Sequence, residues 1–242
     1  MSVFDGVQRV LFVHAHPDDE TLATGALIIE LVERGIECVV LTATRGEQGG
    51  IVAGRFNGLA GEEFIQLRET ELAGALAELG AGAPMFLGEP PARAGGLPPR
   101  RYVDSGMEWV RPGLAGPAGN AGPDSLTAAD ETEAIEDLTA GIRAVAPDLV
   151  VTYDDAGGYG HPDHVACHHL TRAACAEAGV PFVEVLSDPD APGEWLDLQK
   201  HLPTVAAALE HHQTQVTVDV PDVIHSGGQR EPIQLRMGLR AV

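Results

Sequence analysis

The chain has 242 residues, of which 44% are hydrophobic, so it is long enough to bury a substantial core as one domain spanning 1–242. Its formal net charge is -21, with a single lysine, Lys200, and fourteen arginines scattered along the sequence. No basic stripe is available to neutralise phosphates, so nucleic acid and anionic membrane surfaces are excluded as expected partners.

The sequence also predicts a cytoplasmic protein. Residues 1–9 contain no cationic stretch leading into a long apolar run, unlike a signal peptide, and no stretch of about 18 apolar residues could cross a bilayer. Cys38, Cys167 and Cys175 are odd in number and lack Cys-x-x-Cys spacing, which predicts buried thiols instead of disulfides or a thiolate zinc site. A homo-oligomer is compatible with the sequence, but nothing in it indicates one.

Apolar runs bounded by turn residues alternate with stretches of helical period. In chain order, the predicted elements are a strand at 10–14, a helix at 22–34, a strand at 37–42, a helix at 62–79, a strand at 84–87, a helix at 127–145, a strand at 149–153, a helix at 162–178, a strand at 182–186 and a last helix at 196–211. Gly35, Gly80 and Gly179 are expected to end three of the helices. Thr127 and Asp130 suggest a weak capping box.

This alternation predicts an α/β, Rossmann-like fold, in which a mostly parallel sheet carries helices on both faces. The stretch 88–125 is dense in Gly and Pro and has little periodicity, so it is expected to be a long functional loop or a partly disordered segment, and not a linker between domains. The pattern of the C-terminal tail predicts no particular element.

Three polar clusters follow directly after predicted strands: 16–20 (His-Pro-Asp-Asp-Glu), 44–47 (Thr-Arg-Gly-Glu) and 154–164. Ligands of open α/β sheets bind beyond the carboxyl ends of the strands, so the three clusters are expected to meet at one edge. Glu47, from the second cluster, is accordingly predicted to contact the substrate.

His16 and Asp19 are three residues apart where a strand passes into a helix, so an opening helical turn could bring both onto one face to share a metal. The alternative is that Asp18, Asp19 and Glu20 only complement the positive end of the following helix. The segment 157–164 (Gly-Gly-Tyr-Gly-His-Pro-Asp-His) adds two imidazoles and a carboxylate after another strand, and its alternative is a polar loop with incidental histidines. Found together, the two clusters favour a metal site.

Two histidines and one carboxylate would leave a coordination position for water, as in catalytic zinc sites. Water bound there becomes a nucleophile near neutral pH, and Asp18 is the adjacent carboxylate that could take its proton. The metal, His161 and Tyr159 could stabilise the tetrahedral intermediate.

The two segments, 15–20 (Ala-His-Pro-Asp-Asp-Glu) and 161–164 (His-Pro-Asp-His), resemble the LmbE/PIG-L family of zinc-dependent N-acetylglucosaminyl deacetylases. The segments 104–107 (Asp-Ser-Gly-Met) and 152–154 (Thr-Tyr-Asp) are similar to its actinobacterial branch, which includes the mycothiol-biosynthetic deacetylase and the mycothiol S-conjugate amidase. The resemblance implies zinc-dependent N-deacetylation of a GlcNAc-inositol-like small molecule. A two-histidine, one-carboxylate set also suits Fe2+.

The resemblance also implies a role for individual residues. It implies the zinc ligands His16, Asp19 and His164. It implies the general base Asp18, the electrostatic stabiliser His161 tuned by Asp163, and the assisting Tyr159. It further implies that Arg68 and Asp104 bind sugar or inositol hydroxyls, although Arg68 could instead pair with acids on its own helix.

Other interpretations stay open at this point. Mycothiol S-conjugate amidase activity would use the same metal and base, and only the pocket could separate it from deacetylation. The connection 187–195 is short compared with the longer deacetylases of this branch, and 208–216 resembles their final helix, so the substrate is left open. A non-catalytic dinucleotide-binding module would need Gly-x-Gly-x-x-Gly after the first strand, where this chain has His-Pro-Asp-Asp. A metal-binding protein without turnover would be favoured if position 18 were not acidic.

Overall fold

The computed structural model describes residues 2–56, 58–119 and 121–242; Met1, Asn57 and Asn120, which falls in the predicted loop 88–125, lie outside the described residues. The strands are β1 (Arg9–His14), β2 (Glu37–Thr42), β3 (Met85–Phe86), β4 (Met107–Arg111), β5 (Leu114–Pro117), β6 (Leu149–Tyr153), β7 (Phe182–Val185), β8 (Glu194–Asp197), β9 (Val216–Asp219), β10 (Asp222–His225), β11 (Arg230–Pro232) and β12 (Arg236–Ala241). The helices are α1 (Asp19–Glu33), α2 (Gly61–Leu79), α3 (Glu131–Val145), the single turn α4 (Gly157–Gly160), α5 (Pro162–Ala178) and α6 (Leu202–Leu209), which a 3-10 turn, Gln199–His201, precedes.

Seven strands form the central sheet in the order β3-β2-β1-β6-β7-β12-β8. The pairs from β3 to β7 are parallel, and β12 pairs antiparallel with β7 and β8. This mixed α/β sheet confirms the predicted fold class. From β1 the chain proceeds to β2 and β3 on one side, whereas β6 and β7 lie on the other. The strand order therefore reverses between β1 and β6, and ligands of such sheets bind at this reversal.

The central strands are buried on both faces because helices cover both faces of the sheet. Along β1, Val10 and Phe12 belong to one core cluster, whereas Leu11 and Val13 belong to the other. This division follows from the alternation of side chains along a strand. Helices α1, α2 and α6 pack against the first cluster, and α3 and α5 pack against the second.

The glycine stops were predicted correctly. Gly80 and Gly179 have φ values of 76° and 70° and end α2 and α5 in the left-handed conformation, which glycine adopts without a steric penalty. Gly35, with φ 79°, follows α1, and its N–H donates to Val32 O at 2.9 Å.

Two predicted helices differ most from the observed ones. Helix α3 begins at Glu131, because the Asp130 side chain accepts a hydrogen bond from the Glu133 N–H at 3.0 Å, whereas the Thr127 hydroxyl donates to Ser105. The predicted helix 196–211 is helical only from the 3-10 turn at Gln199–His201 to the end of α6, because Leu196 lies in β8 opposite Met237 of β12. Tertiary strand pairing overrides the local helical period there.

The stretch 88–125 is not a plain loop, since β4 and β5 form an antiparallel hairpin within it. Upstream of the hairpin, Arg93 and Tyr102 both bind the buried carboxylate of Asp137 on α3, at 2.7 and 2.8 Å. The tail forms a three-stranded sheet, β11-β10-β9, and then adds β12 to the central sheet. The segment 208–216 is only partly helical, because α6 ends at Leu209 and β9 begins at Val216. Within the described residues, no helix is both long and apolar enough to cross a membrane.

Candidate active site

The two motifs lie next to each other because they follow adjacent parallel strands. His16 and Asp19 come after β1, whereas His161 and His164 come after β6. The side chains of all four line a cavity of about 950 Å³ at the carboxyl edge of the sheet. The far wall of this cavity is built by the hairpin and by the C-terminal sheet.

The Asp19 carboxylate lies at distances from two imidazole nitrogens that suit ligands of one tetrahedral metal ion. The Asp19 Oδ2 atom is 3.2 Å from His16 Nδ1 and 3.3 Å from His164 Nε2. A tetrahedral ion with bonds of about 2.0 to 2.1 Å separates its ligand atoms by about 3.3 Å. His16, His161 and His164 also offer donor atoms within 4.8 Å of one another.

The hydrogen bonds of the two rings leave nitrogen atoms available for a metal. His164 Nδ1 lies 3.2 Å from Gly157 O, to which it donates, and His164 Nε2 is buried without a hydrogen-bond partner among the described residues. His16 Nε2 lies 3.2 Å from Asp163 Oδ2, which leaves His16 Nδ1 facing Asp19. Ligating histidines commonly donate their other N–H to a carbonyl or a carboxylate in this way. The residues present therefore fit a divalent ion.

The electrostatics of these residues agree with a site that holds positive charge. Burial opposes ionisation of His16, but Asp104, Asp163 and Asp19 outweigh it and raise the pKa of His16 well above its usual value. Burial likewise opposes charge on Asp19, but His164 and His16 bring the pKa of Asp19 well below its usual value. A bound cation would take over this compensating role.

Asp18 lies between the two predicted ligands in an unusual backbone conformation, with φ 124°. Arg68 reaches it from α2: its Nη2 lies 3.1 Å from Asp18 Oδ2 and also donates to Pro17 O, while Nη1 donates to Gly46 O at 2.6 Å. Burial raises the pKa of Asp18 to about 6, and the charge of Arg68 opposes the rise. Arg68 thus binds the carboxylate of the motif and not acids on its own helix.

His161 is a neutral donor in this structure. Burial, together with the neighbouring His16 and His164, lowers the pKa of His161 to about 3. Its Nδ1 accepts the Asp163 N–H at 3.1 Å, so the proton of the neutral ring lies on Nε2. Asp163 was expected to tune His161. Its carboxylate is hydrogen-bonded to His16 instead, and only its backbone N–H contacts His161.

Tyr159 is 40% exposed, and its ring centroid lies 5.3 Å from that of His164. Tyr159 also packs against Trp109 of the hairpin, whose ring centroid is 5.6 Å away and which is 46% exposed. Tyr159 and Trp109 line one side of the cavity, and we call this pair of exposed rings the aromatic wall.

The predicted substrate contacts differ in position. Asp104 lines the cavity, but its Oδ1 lies 3.5 Å from His16 Nε2 and accepts the Gly106 N–H at 2.8 Å. Glu47 does not line the cavity in the described part of the chain; its Oε2 accepts the Asp104 N–H at 2.9 Å and so fixes the backbone there.

Comparison with known proteins decides the family. A family model described as "PIG-L: GlcNAc-PI de-N-acetylase" matches residues 11–175, which is more than half of the chain. The chain belongs to the PIG-L family. The resemblance seen in the two motifs is thereby confirmed.

Curated relatives of this PIG-L protein are named 1D-myo-inositol 2-acetamido-2-deoxy-alpha-D-glucopyranoside deacetylase. One, from Kineococcus radiotolerans, is 35% identical over 280 residues, which covers 95% of this chain and 76% of the relative. Another, from Mycolicibacterium gilvum, is 39% identical over 252 residues, which covers 88% of this chain and 82% of the relative. The N,N'-diacetylchitobiose deacetylase structure from Pyrococcus horikoshii aligns with a TM-score of 0.63 at 20% identity, covering 87% of this chain and 71% of that chain. That likeness shows a shared fold.

Sequence reasoning missed several residues at the site of this PIG-L protein. The strand that carries Trp109 was not predicted within the stretch 88–125, because an alternating pattern of only five residues is a weak strand signal. His225 and Glu231, 2.8 Å apart on the C-terminal sheet, line the cavity from a tail whose pattern predicted no element. His212 pairs with Glu20 at 2.8 Å across 192 residues of sequence, and no local signal links them.

Proposed function

We propose that this PIG-L protein hydrolyses the acetamide of an N-acetylglucosamine unit joined to a second ring, releasing acetate and a free amine. The observation that carries the proposal is the Asp19 carboxylate at tetrahedral ligand spacing from both His16 and His164, with the carboxylate of Asp18 in the same cavity. The deacetylase names of the curated relatives support the same reaction.

His16 Nδ1, Asp19 Oδ2 and His164 Nε2 would hold the metal ion, which we propose to be zinc, with ferrous iron as the alternative for such a ligand set. A divalent ion at this position supplies a Lewis acid and lowers the pKa of water. Asp163 supports this set, because its carboxylate orients the His16 ring.

Side chains of the protein would accept and donate the protons of the reaction. Asp18 accepts a proton from the attacking water at a carboxylate oxygen and delivers it to the amine nitrogen as the C–N bond breaks. Arg68 keeps that carboxylate in place. The Nε2–H of His161 and the hydroxyl of Tyr159 donate to the carbonyl oxygen as negative charge develops on it. A neutral His161 suffices for this role, because a donor is needed and not a full charge.

The cavity favours a substrate larger than one sugar. Pockets of about 300 to 1,000 Å³ enclose ligands of drug size, and this cavity of about 950 Å³ lies at the upper end of that range. We propose that the acetamido sugar lies over the metal and that the second ring lies against Trp109 of the aromatic wall. The substrate named for the relatives, 1D-myo-inositol 2-acetamido-2-deoxy-alpha-D-glucopyranoside, has this two-ring form.

The size of the cavity also admits a mycothiol S-conjugate, so amidase activity is the second candidate. The test loads the protein with zinc, or anaerobically with ferrous iron, and measures amine release from N-acetylglucosamine, its inositol conjugate and a mycothiol S-conjugate. We expect the highest kcat/KM with the inositol conjugate. A preference for the S-conjugate would make the protein an amidase, and no amine release from any member of the panel would overturn the proposal.

A further inference from the structure

We propose that His212, acting through Glu20, is a positioning residue that holds the backbone of Asp18 in the conformation its base role requires. This inference rests on the proposed function, since it assigns a support to the proposed general base. His212 lies beyond residues 11–175, the part of the chain that matches the family model.

The pair itself is completely buried. His212 Nε2 lies 2.8 Å from Glu20 Oε1, and both side chains have no exposed surface. Burial opposes charge on both groups, yet each partner stabilises the other, so the pKa of His212 is raised and that of Glu20 is lowered. His212 and the Thr21 hydroxyl, which donates to the same oxygen, together fix the orientation of the Glu20 carboxylate.

That orientation matters because the other oxygen of Glu20 holds Asp18. Glu20 Oε2 accepts the Asp18 N–H at 2.9 Å. Asp18 has φ 124° and ψ -30°, a conformation that residues other than glycine rarely adopt. Such a conformation persists only where its surroundings fix it on several sides.

Two supports fix Asp18 from opposite ends of the residue. Glu20 binds its N–H, whereas Arg68 binds its carboxylate and the carbonyl of Pro17. His212 supplies the first support from the turn after α6, where its own carbonyl accepts the N–H groups of Gln215 and Val216 at 3.0 Å. The C-terminal part of the chain thus fixes the motif that follows β1.

The chain offers a matched control in a second buried histidine. His201 Nε2 lies 2.9 Å from Glu30 Oε2, which is also on α1, and its side chain is 3% exposed. Like His212, it joins the C-terminal segment to α1, but it lies near the far end of the helix from Asp18. General loosening of α1 should therefore affect both variants, whereas misplacement of Asp18 should follow only from changes at His212.

The experiment compares His212→Leu, His212→Gln and His201→Leu in the zinc-loaded protein. We expect His212→Leu to lower kcat by about 10- to 100-fold, because a misplacement of about 1 Å can cost up to about 100-fold in rate. KM and the zinc content should stay near wild type. His212→Gln should recover most of kcat, since its amide N–H can still donate to Glu20. His201→Leu should lower the melting temperature without lowering kcat.

Leucine at 212 removes the cationic partner of the buried Glu20, which keeps only the Asp18 N–H and the Thr21 hydroxyl, so that variant could fail to fold. The double variant Glu20→Met with His212→Leu removes both charges. Folded proteins often tolerate the replacement of a buried ion pair by apolar residues. The double variant also removes the acceptor for the Asp18 N–H. We expect it to fold, to bind zinc and to show the same loss in kcat.

Wild-type kcat in the double variant would overturn the proposal. An equal loss of kcat in His201→Leu, or no recovery of kcat in His212→Gln, would show that His212 and Glu20 have only a general structural role. Either result would also overturn the proposal. A crystal structure of the double variant gives a test without turnover: we expect Asp18 to leave the positive-φ region, and an unchanged Asp18 conformation would overturn the proposal. If the wild type hydrolyses no substrate of the panel, the proposed function is wrong. The crystal structure of the double variant then tests by itself whether His212 and Glu20 position Asp18.

Discussion

Replacing Asp18 with Asn separates the proposed chemistry from metal binding and from stability. Asn has nearly the same size and can still hydrogen-bond water, but it cannot accept a proton. The loss of general-base assistance should lower kcat by about 10² to 10⁴, which corresponds to about 3 to 5 kcal/mol of barrier. Bound zinc should remain, because the three proposed ligand atoms belong to other residues, His16, Asp19 and His164.

The same change should stabilise the metal-free protein. Burial raises the pKa of Asp18 from its ordinary value of 3.8 to about 6. The folded state therefore disfavours the ionised carboxylate, and a shift of about two pKa units corresponds to about 3 kcal/mol. Because this pKa is raised on folding, the stability contributed by Asp18 is fully present below pH 3.8, declines as the pH rises toward 6 and is absent above pH 6.

Asn carries no charge to bury, so metal-free Asp18→Asn should gain up to about 3 kcal/mol at pH 8. Arg68 loses its anionic partner but keeps the carbonyls of Pro17 and Gly46, which makes this figure an upper limit. For a chain of this size each kcal/mol shifts the melting temperature by about 2 to 4 °C. The gain should disappear near pH 4, where Asp18 is protonated in the wild type.

The assay combines kcat with zinc stoichiometry and with melting temperatures of the chelator-treated protein at pH 4 and pH 8. Asp137→Asn is the control, because Asp137 is also fully buried but lies on α3, where it binds Arg93 and Tyr102. It should lower the melting temperature and leave kcat unchanged. Near-normal kcat in Asp18→Asn would place the base elsewhere, loss of zinc would make Asp18 a ligand, and a lower melting temperature at pH 8 would refute the electrostatic argument.

Three further changes test the remaining roles. His164→Ala should lose most of the bound zinc and nearly all activity, since it removes the buried Nε2 that faces Asp19, and full zinc occupancy measured by elemental analysis would contradict this. Asp163→Asn should weaken zinc binding by about 10- to 100-fold in a competitive chelator titration, because it disturbs the hydrogen bond that orients His16, and unchanged affinity would remove that support. Trp109→Ala should raise KM for the inositol conjugate more than for N-acetylglucosamine, and equal effects on the two substrates would argue against the aromatic wall as a contact for the second ring.

The sequence alone determined the α/β class and the position of the site. Long apolar runs such as β1 and β6 are recognisable because strands buried on both faces contain few polar residues. Helix ends at Gly80 and Gly179 were recognisable because the left-handed cap is a local requirement. The two histidine motifs follow strands directly, and the carboxyl ends of parallel strands share one edge of the sheet.

Only the tertiary structure decided which partners the side chains have. Arg68 binds Asp18 across 50 residues, Asp163 binds His16 across 147, and His212 binds Glu20 across 192. The same limit explains Leu196, whose local pattern is helical but which pairs with Met237 in the sheet. Hydrophobic period and capping chemistry act over a few residues, whereas these contacts depend on the order of strands and on which distant segments it brings together.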